Sequence, residues 1–197
     1  VKGTTVFETA PIDRSGIPPS RQSRGNCWSA AVPRKAAGPY RITDSHPSGD
    51  GPIQAMHWAL ADADATPQDV DYVNAHGTST PMNDKSESAA TRAVFGADTG
   101  RVSVSSTKSS MGHLIAAAGA VEAAVCALAI HRGEMPVNAN LVEQDPECDL
   151  NLVTGAPRRQ RIRMAMSNSF GFGGSNSSVV LRNPEEVDGV AAQGNRR

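Results

Sequence analysis

Apolar positions between Ile42 and Arg182 follow two periods, and each period marks a class of element. A helical pattern runs over 52–62, opened by the turn Gly49-Asp50-Gly51-Pro52 with its proline at the first turn. Thr66-Pro67-Gln68-Asp69 has the make-up of a short capped turn. Alternation then predicts a strand over 70–75, and a helix follows over 84–95, stopped by Gly96. A short strand is expected at 102–105. A long Ala-rich helix follows over 112–131, closed by Gly133 with Pro136 beyond it. Three further strands fall at 150–153, 163–167 and 177–181, the last behind a Gly-rich turn. Helices interleaved with short strands predict an α/β layered fold around a mixed sheet. The polar stretch 184–197 reads as a frayed tail.

The apolar run over 114–130 is the one place where length and hydropathy suggest a membrane span. Glu122 stands in its middle, and an acid there costs about 2.5–3.5 kcal/mol in lipid. A fully buried central helix is therefore expected, its Ala and Gly side chains letting neighbours approach closely, with no membrane span.

Composition changes the picture only at the start of the chain. Residues 1–44 carry seven Lys/Arg against three Asp/Glu, whereas the remainder carries twelve against seventeen. Prolines 11, 18, 19, 33 and 39 punctuate that basic stretch, and its apolar residues keep no period. Residues 1–41 are therefore expected to form an irregular arm, with 42–183 as the folded domain. The whole-chain charge of −1 gives no field for gripping nucleic acid. Three cysteines (Cys27, Cys126, Cys148) at wide spacing imply a reducing compartment and no disulfide framework. No basic head and apolar core precede the arm, so a cytoplasmic location is expected. No Met opens the chain, and the frame is expected to begin upstream. The five histidines are scattered without Cys or carboxylate at ligand spacing, so no metal site is expected.

Three clusters carry the candidate chemistry. They are Asn74-Ala75-His76-Gly77-Thr78-Ser79-Thr80, Ser105-Ser106-Thr107-Lys108-Ser109-Ser110-Met111-Gly112-His113, and Asn168-Ser169-Phe170-Gly171-Phe172-Gly173-Gly174-Ser175-Asn176. Each lies just past the carboxyl end of a predicted strand, the edge where α/β sheets place their sites. The third is not a nucleotide loop, because it lacks the last glycine of G-x-G-x-x-G and no Gly-Lys-Ser/Thr follows. Singly, each could be a hydrogen-bonded structural loop. Glu122 in an apolar helix needs a buried partner, and Lys108 is the nearest candidate.

In this order and spacing the clusters resemble the C-terminal half of the β-ketoacyl-[acyl-carrier-protein] synthases, type II ketosynthases of the thiolase superfamily. The resemblance runs from about Ile42 to Arg182 and rests on His76-Gly77-Thr78-Ser79-Thr80, Lys108 with Gly112-His113, and Gly171-Phe172-Gly173-Gly174-Ser175-Asn176. Asp84 and Glu87 match a further family element. The resemblance implies a thiolase-like fold, of which this chain would be a fragment, the C-terminal half, usually paired as a homodimer. It also implies decarboxylative condensation of an acyl thioester with malonyl carrier protein. His76 and His113 would be neutral donors to the enolate, His113 at the start of the long helix and braced by Lys108–Glu122. Thr78 and Thr80 would bind the pantetheine arm or merely cap the strand end. Phe172 would gate the acyl pocket, hinged by Gly171, Gly173 and Gly174, with Phe170 as gate or core. The partner would be acyl carrier protein and no separate cofactor is implied. The family nucleophile is a Cys in the N-terminal half, and no cysteine of this chain is assigned that role. Alternatives are a non-catalytic companion subunit of the chain-length-factor kind, or another thiolase-superfamily acyltransferase.

Overall fold

The structure is a computed structural model that describes residues 28–30 and 48–184. In chain order the elements are β1 (Trp28–Ala30), α1 (Asp50–Asp62), β2 (Tyr72–Asn74), α2 (Pro81–Phe95), β3 (Ser103–Ser105), α3 (Lys108–Met111), α4 (Ala118–Arg132), β4 (Glu134–Met135), β5 (Arg158–Arg159), β6 (Met164–Phe170) and β7 (Asn176–Arg182). Five strands form one mixed sheet in the order β1-β7-β6-β2-β3. Strand β2 runs parallel to both β3 and β6, while β7 runs antiparallel to β6 and β1.

Alternation along the strands divides the core into two layers. Val73, Val104, Met164, Met166 and Val180 meet Met56, Ala59 and Leu60 of α1 and Val94 and Phe95 of α2. Tyr72, Ala165 and Leu181 face the other way, onto Cys126, Ala129 and Ile130 of α4. The sheet is thus sandwiched between α1 and α2 on one side and α4 on the other. Because β2, β3 and β6 are parallel, the three loops that leave their carboxyl ends emerge along one edge of the sheet.

The elements start and stop for local reasons. Thr66 and Asp69 form a reciprocal capping box, Asp69 Oδ2 accepting from the Thr66 N–H and hydroxyl at 2.8 Å each. Gly49 opens α1 at φ +70°, and a Cβ there would lie 3.1 Å from Ser86 O. Only a bare glycine therefore lets α1 approach α2 at this point. Gly96 ends α2 with φ +53°.

Four expectations need correction. The predicted helix over 112–131 is broken: α3 ends at Met111, Gly112 adopts φ +74° and Ile115 φ +52°, and α4 begins only at Ala118. Gly112 is the terminator of a short helix rather than the start of a long one, so His113 lies in a loop.

The central helix is also not fully buried. Ala118, Glu122, Cys126, Ala129 and Ile130 face the sheet, whereas Ala120, Ala124 and Leu128 are exposed along the opposite face. The segment Ile115–Arg132 is long and apolar enough to cross a membrane, and 28% of it is buried.

The expected strand at 150–153 reduces to a single bridge, Val104 to Leu152. The Leu150 and Leu152 N–H groups bond to carbonyls two residues back, at 2.8 Å each, and so leave the ladder. Finally, the arm expected to be irregular contributes β1, a strand paired with Val179, Val180 and Leu181 of β7. The rest of 1–41, and the tail beyond Pro184, lie outside the described residues.

Candidate active site

The first loop leaves β2 and turns sharply at His76-Gly77. Glu87, projecting from α2, holds this turn from beneath. Its Oε1 accepts the His76 peptide N–H and its Oε2 the Gly77 N–H, each at 2.9 Å. The side-chain amide of Asn168 on β6 adds a third donor at 3.3 Å, to Oε1. Burial pushes the Glu87 carboxyl up, and the two peptide bonds and Asn168 oppose that shift. Gly77 has φ +43°, and a Cβ on it would fall 2.5 Å from Ser106 Cβ. The Ser106 hydroxyl donates to Gly77 O at 3.1 Å, tying the first loop to the second. Asp84 sits one turn before Glu87, accepts from Asn83 at 3.1 Å and lines the same cleft.

His76 and His113 come together. Their ring centroids are 5.5 Å apart and nearly perpendicular, with Phe170 on the other side of His76 at 5.9 Å. His76 is 8% exposed. Burial first, then the Lys108 ammonium and His113, hold its imidazole down at about 4, so the ring is neutral at physiological pH. His113 is exposed, and its Nδ1 accepts the Ile115 N–H at 3.0 Å. An accepting Nδ1 leaves the proton of the neutral ring on Nε2. The His113 orientation thus comes from a backbone bond within its loop rather than from the start of a helix, while His76 Nδ1 is buried without a hydrogen-bond partner.

Lys108 and Glu122 form the buried ion pair that the sequence suggested, Nζ to Oε1, with side-chain exposures of 5% and 2%. The pair joins α3 to the sheet-facing side of α4. The ammonium acts on His76, where it favours the neutral ring; no bond from it to His113 is formed among the described residues. Glu122 Oε2 has no hydrogen-bond partner.

Lys108 and His113 border a cleft of about 480 Å³, whose walls also include Thr78, Asp84, Glu87 and Asn138. The Thr78 and Thr80 hydroxyls lie 3.0 Å apart, Thr78 on the wall and Thr80 exposed. Phe172 is 73% exposed in the turn Phe172–Gly174, where Gly173 and Gly174 have φ +68° and +74°. Gly171 donates to Ser175 O at 2.7 Å and closes that turn. Phe170 is 6% exposed and packs on His76.

Of the cysteines, Cys126 is buried, its thiol pushed up to about 12 by burial and then by Glu122. Cys148 lies half-buried in an acidic turn on the cleft wall, and Cys27 lies outside the described residues. Among the described residues no three His, Cys, Asp or Glu side chains gather into a metal-sized group.

Sequence reasoning missed Asn138 and gave Asn168, the first residue of the third cluster, no role of its own. Asn138 accepts the Ser106 N–H at 2.8 Å and donates to Val104 O and Val153 O, so it fastens the second loop to the sheet. Its signal was an Asn in a polar loop after a helix stop, which is too common to single out.

A family model described as "Beta-ketoacyl synthase, C-terminal domain" matches residues 30–142. The chain belongs to the β-ketoacyl synthase family. This ketosynthase domain is 46% identical over 136 residues to nodulation protein E of Rhizobium meliloti, covering 69% of the chain and 34% of the relative. It is 43% identical over 165 residues to 3-oxoacyl-[acyl-carrier-protein] synthase 2 of Staphylococcus aureus, covering 83% of the chain and 41% of the relative. Among solved structures it resembles a type II polyketide ketosynthase in complex with its acyl-carrier protein, with TM-score 0.71 and 33% identity over 79% of the chain and 37% of that ketosynthase. The ketosynthase domain thus spans well under half the length of these relatives, and its fold is the C-terminal α/β part of the thiolase-like architecture.

Proposed function

We propose that this domain supplies the decarboxylation side of a 3-oxoacyl-[acyl-carrier-protein] synthase active site. The observation that carries the reading is the His76–His113 pair, two imidazole rings whose centroids stand 5.5 Å apart, His76 held neutral and His113 on the wall of the cleft. Loss of CO₂ from a malonyl thioester leaves an enolate, and its oxygen gathers the negative charge. Two N–H donors converging on that oxygen stabilise the transition state without first surrendering a proton. Cationic rings would be weaker partners in a different sense, because each could protonate the enolate carbon and end the reaction unproductively. Burial and Lys108 remove that option at His76.

The remaining assignments follow from the resemblance and fit the geometry. Malonyl and acyl groups arrive on the phosphopantetheine of acyl carrier protein, so no separate cofactor is needed. The Thr78 and Thr80 hydroxyls suit the amides of the pantetheine arm. Phe172, exposed on a turn of glycines, gates the acyl pocket. The acyl-bearing cysteine comes from an N-terminal half, which also covers Ala120, Ala124 and Leu128 of α4. The intact enzyme is a cytoplasmic homodimer. A companion subunit of the chain-length-factor kind would have no use for a pair of imidazole donors.

A chimera tests this. Residues 42–183 replace the corresponding segment of the S. aureus synthase, and malonyl-carrier-protein decarboxylation is followed by CO₂ release. The chimera is expected to decarboxylate and condense, and His76→Ala or His113→Ala to slow decarboxylation about 10²–10³-fold each. A folded chimera that leaves malonyl thioester intact, or His variants that keep the full rate, would overturn the assignment.

A further inference from the structure

We infer that Asn168, braced by Ser178, is a positioning residue for His76 and acts through the carboxylate of Glu87. The inference rests on reading His76 as an oxyanion donor, but the contacts that carry it are independent of any reaction. Asn168 is fully buried on β6, where its Oδ1 accepts the Ser178 hydroxyl of β7 at 2.7 Å. Its Nδ2 donates to Glu87 Oε1 at 3.3 Å and lies 3.6 Å from Met56 Sδ. Glu87 Oε1 in turn accepts the His76 peptide N–H at 2.9 Å. One continuous chain of hydrogen bonds therefore runs from the β6–β7 hairpin, through α2, to the backbone of the first loop.

The orientation of the amide is fixed at both ends. A carboxylate can only accept, so Nδ2 must face Glu87, and Oδ1 is then left to receive the serine hydroxyl. Turned over, the amide would set Oδ1 against the carboxylate. Glu87 accepts the His76 and the Gly77 N–H on its two oxygens, and every buried donor aimed at it favours the ionised form against the pull of burial. Asp84 is the nearby like charge and works the other way. Without Asn168 the carboxyl moves toward protonation, one oxygen turns donor, and the grip on one of the two peptides is lost. Phe170, two residues along the same strand, packs on the His76 ring, so both supports of His76 come from one hairpin.

The test uses the 197-residue chain, labelled with ¹⁵N for NMR. In Asn168→Ala the His76 and Gly77 amide protons should move away from their carboxylate-bonded positions. The His76 ring midpoint should rise by about one pH unit as the loop loosens toward water, while His57 and His131 stay unchanged. Asn168→Asp is the discriminating variant. Below the pKa of the new carboxyl pair, the protonated acid introduced by Asn168→Asp donates to Glu87 as the amide did, so the spectrum at about pH 5 should match wild type. At about pH 8 the two carboxylates repel and the His76 signals should be displaced. Ser178→Ala should give a smaller displacement of the same resonances. Should Asn168→Ala fail to fold, the other two variants decide. His76 and Gly77 signals unmoved in folded Asn168→Ala or Ser178→Ala, or an Asn168→Asp spectrum equally displaced under the acidic and the basic condition, would overturn the inference. These spectra do not depend on whether the chimera condenses, so failure of the positioning role and failure of the catalytic reading are separately visible.

Discussion

His76 makes the stability of this domain depend on pH in a way that can be isolated. The folded ring titrates at about 4, against an ordinary value of 6.5, because burial, Lys108 and His113 all oppose its cation. Between those two values the unfolded chain binds a proton that the folded chain refuses. Stability from this group is therefore complete above about pH 7 and declines as pH falls toward 4. At 1.36 kcal/mol per pH unit the loss is about 1.4 kcal/mol at pH 5.5 and about 3 kcal/mol at pH 4. His76→Gln keeps a polar side chain of similar reach and does not titrate. Urea unfolding of both proteins at pH 7, 5.5 and 4 gives two curves whose difference cancels the carboxylates common to both. The wild-type stability is expected to fall relative to His76→Gln by the amounts above. A difference that stays constant across that range would refute the neutral buried ring, and with it the claim that His76 donates rather than carries charge.

Two further outcomes follow from particular contacts. Glu122→Ala leaves the Lys108 ammonium buried without a partner and should cost about 3–5 kcal/mol, whereas Lys108→Met with Glu122→Met should cost much less; a double-mutant cycle by denaturant titration measures the difference. Gly77→Ala places a Cβ 2.5 Å from Ser106 Cβ at a left-handed backbone position. A loss of about 2 kcal/mol or more is expected in thermal unfolding, part of it regained when Ser106→Gly is added.

Much of this arrangement was legible in the chain. Periodicity found α1, α2, β2, β3, β6 and β7 because each buries one face in register with its period. The lone acid in an apolar helix pointed to Lys108 because a buried carboxylate needs a cation. What escaped did so for physical reasons. Ala117 and its neighbours favour helix, so the expected helix ran on through Gly112 and Ile115, which instead take positive φ in a stretch exposed from Met111 to Ala117. Residues 150–153 alternate like a strand, but the Leu150 and Leu152 N–H groups bond backward along the chain, and only Asn151 O and the Val153 N–H reach Val104. β1 is three residues with no pattern of its own, made a strand by the free edge of β7. Glu87 was marked by resemblance alone. Its grip on the His76 and Gly77 peptides, and the link to Asn168, join residues ten or more positions apart, which no local reading of sequence can foresee.

The bond from the Ser106 hydroxyl to Gly77 O has a mechanical meaning. Ser106 belongs to the stretch that runs on through α3 to His113, so the two histidine loops are riveted where they leave the sheet. Thermal motion can tilt the pair against the rest of the domain while altering the gap between the rings comparatively little. Like the tines of a tuning fork, the rings share a stem that sets their spacing from below.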